Sequence, residues 1–100
     1  MALSTARKKS FRTLGHSLNP IVTVAGKGLT DNILTELDRA LEDHELIKVK
    51  LVISDRELRK SVVQEIANNT RSEIVQEIGK VVLLFREAKK PNPKLSNILR

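Results

Sequence analysis

The sequence contains no cysteine, no tryptophan and no tyrosine, and its only benzene rings are Phe11 and Phe85. Without cysteine there are no disulfides, no thiol catalysis and no thiolate metal site, which suits a reducing, cytoplasmic setting. Two rings are too few for a protein that holds unpaired bases on an aromatic platform. Long apolar runs are missing as well. Val81 to Phe85 is among the longest, far short of the roughly 20 residues that cross a bilayer. Arg7-Lys8-Lys9 is not followed by the apolar stretch of a secretory signal. A cytoplasmic protein with no membrane partner is the expectation.

Positive charge is what the chain has in excess. Its 100 residues carry 18 Lys and Arg against 12 Asp and Glu, a net charge of +6. The length suits a single domain, 1–100, and 40% hydrophobic residues can supply one core. A basic domain this small points toward phosphate-bearing partners. The charge is unevenly spread. Residues 1–28 hold five cations (Arg7, Lys8, Lys9, Arg12, Lys27) and no acid, whereas residues 29–45 hold six acids and one cation. Residues 46–85 are nearly balanced, and residues 86–100 hold five cations and one acid.

Period and punctuation predict seven elements. Ser4 caps a first helix of about a dozen residues that ends before Asn19-Pro20. Leu3, Phe11, Leu14 and Leu18 form its apolar stripe, with Lys8, Lys9 and Arg12 turned away and the stem of Arg7 packed on the stripe. Ile21 to Val24 reads as a strand, followed by a glycine loop, Ala25-Gly26-Lys27-Gly28. Thr30 caps a second helix, with Leu29, Ile33, Leu34, Leu37 and Leu41 at helical spacing through about His44. Leu46 to Ile53 alternates, with Ile47, Val49, Leu51 and Ile53 on one face and Lys48 and Lys50 on the other. Ser54 with Glu57 reads as a capping box for a third helix that buries Leu58, Val62, Val63 and Ile66. Glu73 to Ile78 and Val81 to Arg86 form a hairpin across Gly79-Lys80. The order α-β-α-β-α-β-β predicts an α/β fold: a four-stranded mixed sheet covered by helices. The core is expected over about residues 3–87, and the basic tail from Ala88, with two prolines, is expected to be loose.

The glycine loop is the strongest local signal for chemistry. Gly26 and Gly28 let backbone approach a ligand closely, and the helix behind Thr30 presents unpaired N–H groups that suit phosphate. Lys27 adds a full charge at the tip. The spacing is not that of a Walker loop, and it resembles the loop with which KH domains clamp nucleic-acid backbone. Lys8, Lys9 and Arg12 would extend the basic footprint, with Lys48 and Lys50 behind them. His16 and His44 fall at helix ends, outside any local metal or nucleophile motif. No enzyme, cofactor, metal or small-molecule substrate is expected. An alternative use is protein docking, in which the acidic second helix (Asp31, Glu36, Asp38, Glu42, Asp43) takes a basic protein.

Several pieces in order carry a family resemblance. They are Leu14-Gly15-His16, Leu18-Asn19-Pro20, Gly28-Leu29-Thr30, His44-Glu45-Leu46-Ile47-Lys48-Val49-Lys50, Asp55-Arg56-Glu57, and Ile78-Gly79-Lys80 with Leu84-Phe85-Arg86. Over residues 3 to 87 the chain resembles the CRM (chloroplast RNA splicing and ribosome maturation) domain family, most closely its stand-alone YhbY-type bacterial members. The resemblance implies a βαβαββ core behind an N-terminal helix, like the C-terminal domain of translation initiation factor 3. It also implies RNA binding, association with precursors of the large ribosomal subunit, and no catalysis. With the residues singled out above, the expected RNA contacts are Gly26, Lys27, Gly28 and Thr30 with Lys8, Lys9, Arg12, Lys48 and Lys50, and in the ribosomal setting the docking alternative would take a basic ribosomal protein or assembly factor. The family's GxxG loop falls on residues 25–28, where Ala25 replaces the first glycine. A positive φ there would strain alanine, which predicts a turn shifted by one residue.

Overall fold

The computed structural model describes residues 3–25 and 28–99. Its elements are α1 (Thr5–Gly15), β1 (Pro20–Ala25), α2 (Asp31–His44), β2 (Leu46–Val52), α3 (Arg56–Thr70), β3 (Glu73–Ile78) and β4 (Val81–Phe85), in the expected order. Ser4 Oγ accepts the N–H of Arg7 at 3.2 Å, and Thr30 Oγ1 accepts that of Ile33 at 3.2 Å, so both expected caps form. The third cap is a correction. Asp55, not Ser54, takes the N–H groups of Glu57 and Leu58, at 2.9 and 3.2 Å. With the helix starting at Arg56, Glu57 falls one position too early to close a capping box.

The sheet is mixed, in the order β1-β2-β4-β3. β1 runs parallel to β2, and β4 runs antiparallel to both β2 and β3. β3 therefore points the same way as β2, and the strand–α3–strand crossover leaves a slot that the closing hairpin fills with β4.

Alternation along β2 separates two packing faces. Ile47, Val49 and Leu51 join Val22, Val24, Val82 and Leu84 beneath Leu37 and Leu41 of α2 and Val62, Val63 and Ile66 of α3. On the opposite face Leu46, Val75, Leu83 and Phe85 make a smaller cluster closed by Phe11 of α1. The two phenyl rings are tilted, with centroids 4.7 Å apart. The Arg7 guanidinium lies 5.1 Å from the Phe11 centroid and 5.5 Å from that of Phe85, so its side chain packs on the stripe as expected.

Two leucines depart from their predicted faces. Leu14 is 39% exposed, because the close contact at this end of α1 is made by the neighbouring backbone. A Cβ on Gly15 would stand 2.7 Å from Leu83 Cδ2, so only glycine lets the helix come this near. Leu58 is 48% exposed, since it lies in the first turn of α3 and the buried face starts at Val62.

The basic tail, expected to be loose on its prolines and charge, is instead tied to the start of β2. Glu45 follows α2 with φ 63° and ψ −47°, and it is buried. Its carboxylate accepts the Ala88 N–H at 2.9 Å and the hydroxyl of buried Ser96 at 2.7 Å. His44 Nδ1–H donates to the Leu95 carbonyl at 2.8 Å, and Asn97 Nδ2 donates to that of Leu46 at 2.7 Å. Such a backbone conformation costs on the order of 1–3 kcal/mol in a non-glycine residue. The bonds made by the buried carboxylate offset it.

Candidate nucleic-acid interface

β1, β2 and β3 all run out at one edge of the sheet, so three connections gather there: the glycine loop into α2, the Asp55 cap of α3, and the Gly79-Lys80 hairpin. Gly26 and Lys27, the centre of the predicted site, lie outside the described residues. Their neighbours are clear. The Gly28 N–H donates to the Ala25 carbonyl at 3.1 Å, closing a turn. Gly28 has φ 83°, and a Cβ there would meet nothing within 4 Å. Among the described residues only Glu45 and Arg71 combine a positive φ with a side chain, so Ala25 is unstrained. Among the described loop residues the left-handed one is Gly28, at the far end, and Ala25 in place of the first glycine carries no backbone strain.

Thr30 serves as the α2 cap, so its hydroxyl already accepts one helix-start donor. Helix geometry leaves the first N–H groups, those of Asp31 and Asn32, without intrahelical partners and directed at the loop. The carboxylate of Asp31 in the same turn competes with any incoming anion.

The other predicted cations sit elsewhere. Lys8 and Arg12 are half-buried and Lys9 is exposed on α1, which covers the sheet face opposite α2 and α3. Lys48 and Lys50 are on that same α1-side face, paired across β4 with Leu83 and Val81. The nine candidates thus fall into two groups: the loop at the sheet edge, and five cations on the α1 side.

Two features lie outside the nine candidates. Arg56, Arg59 and Lys60 line a cleft of about 300 Å³ with Glu77 and Gly79 at the loop edge. Their spacing along one helix face was a readable signal. Arg59 Nη1 is committed to the Ile53 carbonyl at 2.9 Å, and Asp55, Glu57 and Glu77 offset the rest. The second is His16. It caps the end of α1 beside Lys48, whereas His44 is held by the tail.

The acids of α2 are partly spent internally. Asp38 pairs with Arg86 at 2.5 Å, and Glu42 lies 3.7 Å from the same guanidinium. Glu42 also accepts the N–H groups of Lys89 and Lys90, at 3.2 and 3.1 Å. Those backbone donors, aided by the charges of Arg86 and Lys89, hold its carboxyl below the usual carboxylate range. No group of His, Asp and Glu among the described residues could hold a metal ion, and no helix among them is long and apolar enough to cross a membrane.

A helix laid on one face of a mixed βαβαββ sheet, with a glycine turn feeding α2, is the arrangement the resemblance implies. The chain belongs to the CRS1 / YhbY (CRM) domain family, whose model matches residues 3–86. It is 50% identical over 100 residues to a Pseudomonas aeruginosa protein named "Probable RNA-binding protein PA4753", covering all of this chain and 96% of that one. Over 36 residues it is 44% identical to a Haemophilus influenzae protein named "RNA-binding protein", 36% of each chain. The solution structure of a hypothetical Staphylococcus aureus protein, described as a candidate RNA binder, superposes with a TM-score of 0.78 at 32% identity. That match covers 89% of this chain and 93% of the other.

Proposed function

We propose that this protein binds RNA through the glycine loop and the cations of the α1 side, and that it acts on precursors of the large ribosomal subunit as an assembly factor. The observation carrying the proposal is the separation of charge by the sheet. Lys8, Lys9, Arg12, Lys48 and Lys50 share one side, while acidic α2 is on the other and gives Asp38 and Glu42 to Arg86 and the tail. Phosphate can approach the first side without meeting the acids of α2. Lys27 and the N–H groups at the start of α2 hold backbone at the loop; the α1-side cations hold a second stretch. Contacts of this kind position structured RNA and read little of its sequence. The names borne by the relatives support the RNA, and the CRM family resemblance supports the ribosomal setting.

Affinity for large-subunit ribosomal RNA across a salt series tests the proposal. Binding should weaken steeply with salt, and each lost phosphate contact should lower the slope of log K against log salt by about 0.7–0.9. Replacing Lys8, Lys9, Arg12 and Lys27 together with Ala should flatten that slope. A flat dependence in the unaltered protein, or unchanged binding in the fourfold variant, would overturn the RNA footprint. The ribosomal assignment has its own check: the protein should co-sediment with large-subunit precursors and leave them after nuclease treatment. Association that survives nuclease would instead indicate docking of a protein on α2.

A further inference from the structure

α1 does not cover its whole sheet face. The helix stops at Gly15, pressed against Leu83, while β4 continues to Val81 and β3 to Ile78. Beyond the helix end one rung of the sheet is left open, in which Thr23, Lys50, Val81 and Ile78 pair in a row across all four strands. Ile78 is 64% exposed, the most exposed large hydrophobic side chain among the described residues. Beside it lies a hollow of about 260 Å³ lined by His16, Lys48, Gln76, Ile78, Val81 and Leu83.

The chemistry of the lining is specific. Leu83, Val81 and Ile78 make an aliphatic floor, and His16, Gln76 and Lys48 bring polar groups to it. No carboxylate lines the hollow, because the pleat turns Glu77 to the other face, beside Arg59 and Lys60. Lys50 stands on the rung of Val81 and Ile78, one beyond that of Lys48, on the same face. An acidic peptide would find charge here but no use for an amide beside a flat apolar floor. A nucleotide would use every part.

We infer that this hollow receives one unpaired nucleotide of the bound RNA. The base lies on Val81 and Ile78, where it is withdrawn from water as it would be on a ring. The Gln76 amide, which offers both a donor and an acceptor, meets the base edge together with the His16 imidazole. The ammonium groups of Lys48 and Lys50 hold the flanking phosphates. The inference rests on the RNA reading above and adds to it a preference for RNA with an unpaired nucleotide, supplied without aromatic stacking.

The test compares two probes: an RNA hairpin with a single-stranded loop, and the same stem sequence closed into a complete duplex. Gln76→Ala combined with Ile78→Ser leaves the charge unchanged and touches only partly or fully exposed side chains, so the fold is retained. This variant should lose about tenfold in affinity for the hairpin, the scale of one hydrogen bond with its apolar contact, and little for the duplex. In the unaltered protein, side-chain NMR signals of Gln76 and His16 should shift with the hairpin and stay with the duplex. Equal losses on both probes, or no loss on either, would overturn the nucleotide assignment. So would His16 and Gln76 signals that respond to an acidic peptide and not to the hairpin. Failure of the RNA reading itself looks different, since the fourfold lysine and arginine variant would then bind both probes as well as the unaltered protein does.

Discussion

The two faces of the sheet are closed to different degrees. On one, α2 and α3 lie over a continuous aliphatic layer, with Leu37, Leu41, Ile66, Val24, Val49 and Leu84 fully buried. On the other, a single helix, with Ile98 of the tail, closes a small cluster around two rings and leaves the last rung shared by β2, β4 and β3 open. The first face supplies most of the hydrophobic stabilisation, which scales with apolar area removed from water. The second is lightly covered, carries Lys8, Lys9, Arg12, Lys48 and Lys50, and keeps one rung open. In the proposed function, stability and binding fall on opposite sides of four short strands.

The largest expected effect comes from breaking the closed face. Leu37→Ala removes a side chain with no exposed surface, and chemical denaturation should show a loss of about 2–5 kcal/mol. RNA affinity of the fraction that remains folded should not change. A proportional loss of affinity would mean that the closed face, beyond the start of α2, belongs to the interface.

Gly15→Ala is smaller in stability and wider in consequence. The new Cβ meets the side chain of buried Leu83 at 2.7 Å, so α1 or Leu83 must shift, at about 1–3 kcal/mol. Because Leu83 floors the hollow and His16 adjoins Gly15, affinity for hairpin RNA should fall as well. Stability loss with full affinity would separate the helix seat from binding.

The smallest effect concerns the tail. Glu42 has its carboxyl held below the usual range by the backbone N–H groups of Lys90 and Lys89. For a lowered carboxylate, the stabilisation is complete above the unfolded-state value and is lost as pH falls through the folded-state value. Amide exchange at Lys89 and Lys90 should therefore quicken on acidification, relative to the intrinsic rate, only below the ordinary carboxylate range. Glu42→Gln should remove that pH dependence while leaving RNA affinity alone.

Much of this architecture was legible in the residues, because period and caps are local properties. Ser4, Thr30, the alternation from Leu46 to Ile53 and the Gly79-Lys80 turn fixed seven elements in order, and β1–α2–β2 implied a parallel pair. What stayed hidden depends on contacts between distant segments. The tail read as loose because its partners, Glu45, Glu42 and His44, lie about 50 residues earlier. Leu14 and Leu58 have helical spacing but sit in the last turn of α1 and the first turn of α3, so the wheel alone mislocated them. The site was legible in kind but not in layout. Lys48 and Lys50 were expected on an exposed face, yet the part of it left open is set by where Gly15 stops α1, which no periodicity reports.

The division between the faces is tested most directly by mapping RNA onto the intact protein by NMR, with a large-subunit ribosomal RNA fragment as titrant. The account predicts shifts concentrated on Lys8, Lys9 and Arg12, on residues 26–30, and on Lys48, Lys50, Gln76, Ile78 and Val81. Shifts concentrated on the outward side of α2 and α3, with the open rung silent, would contradict it.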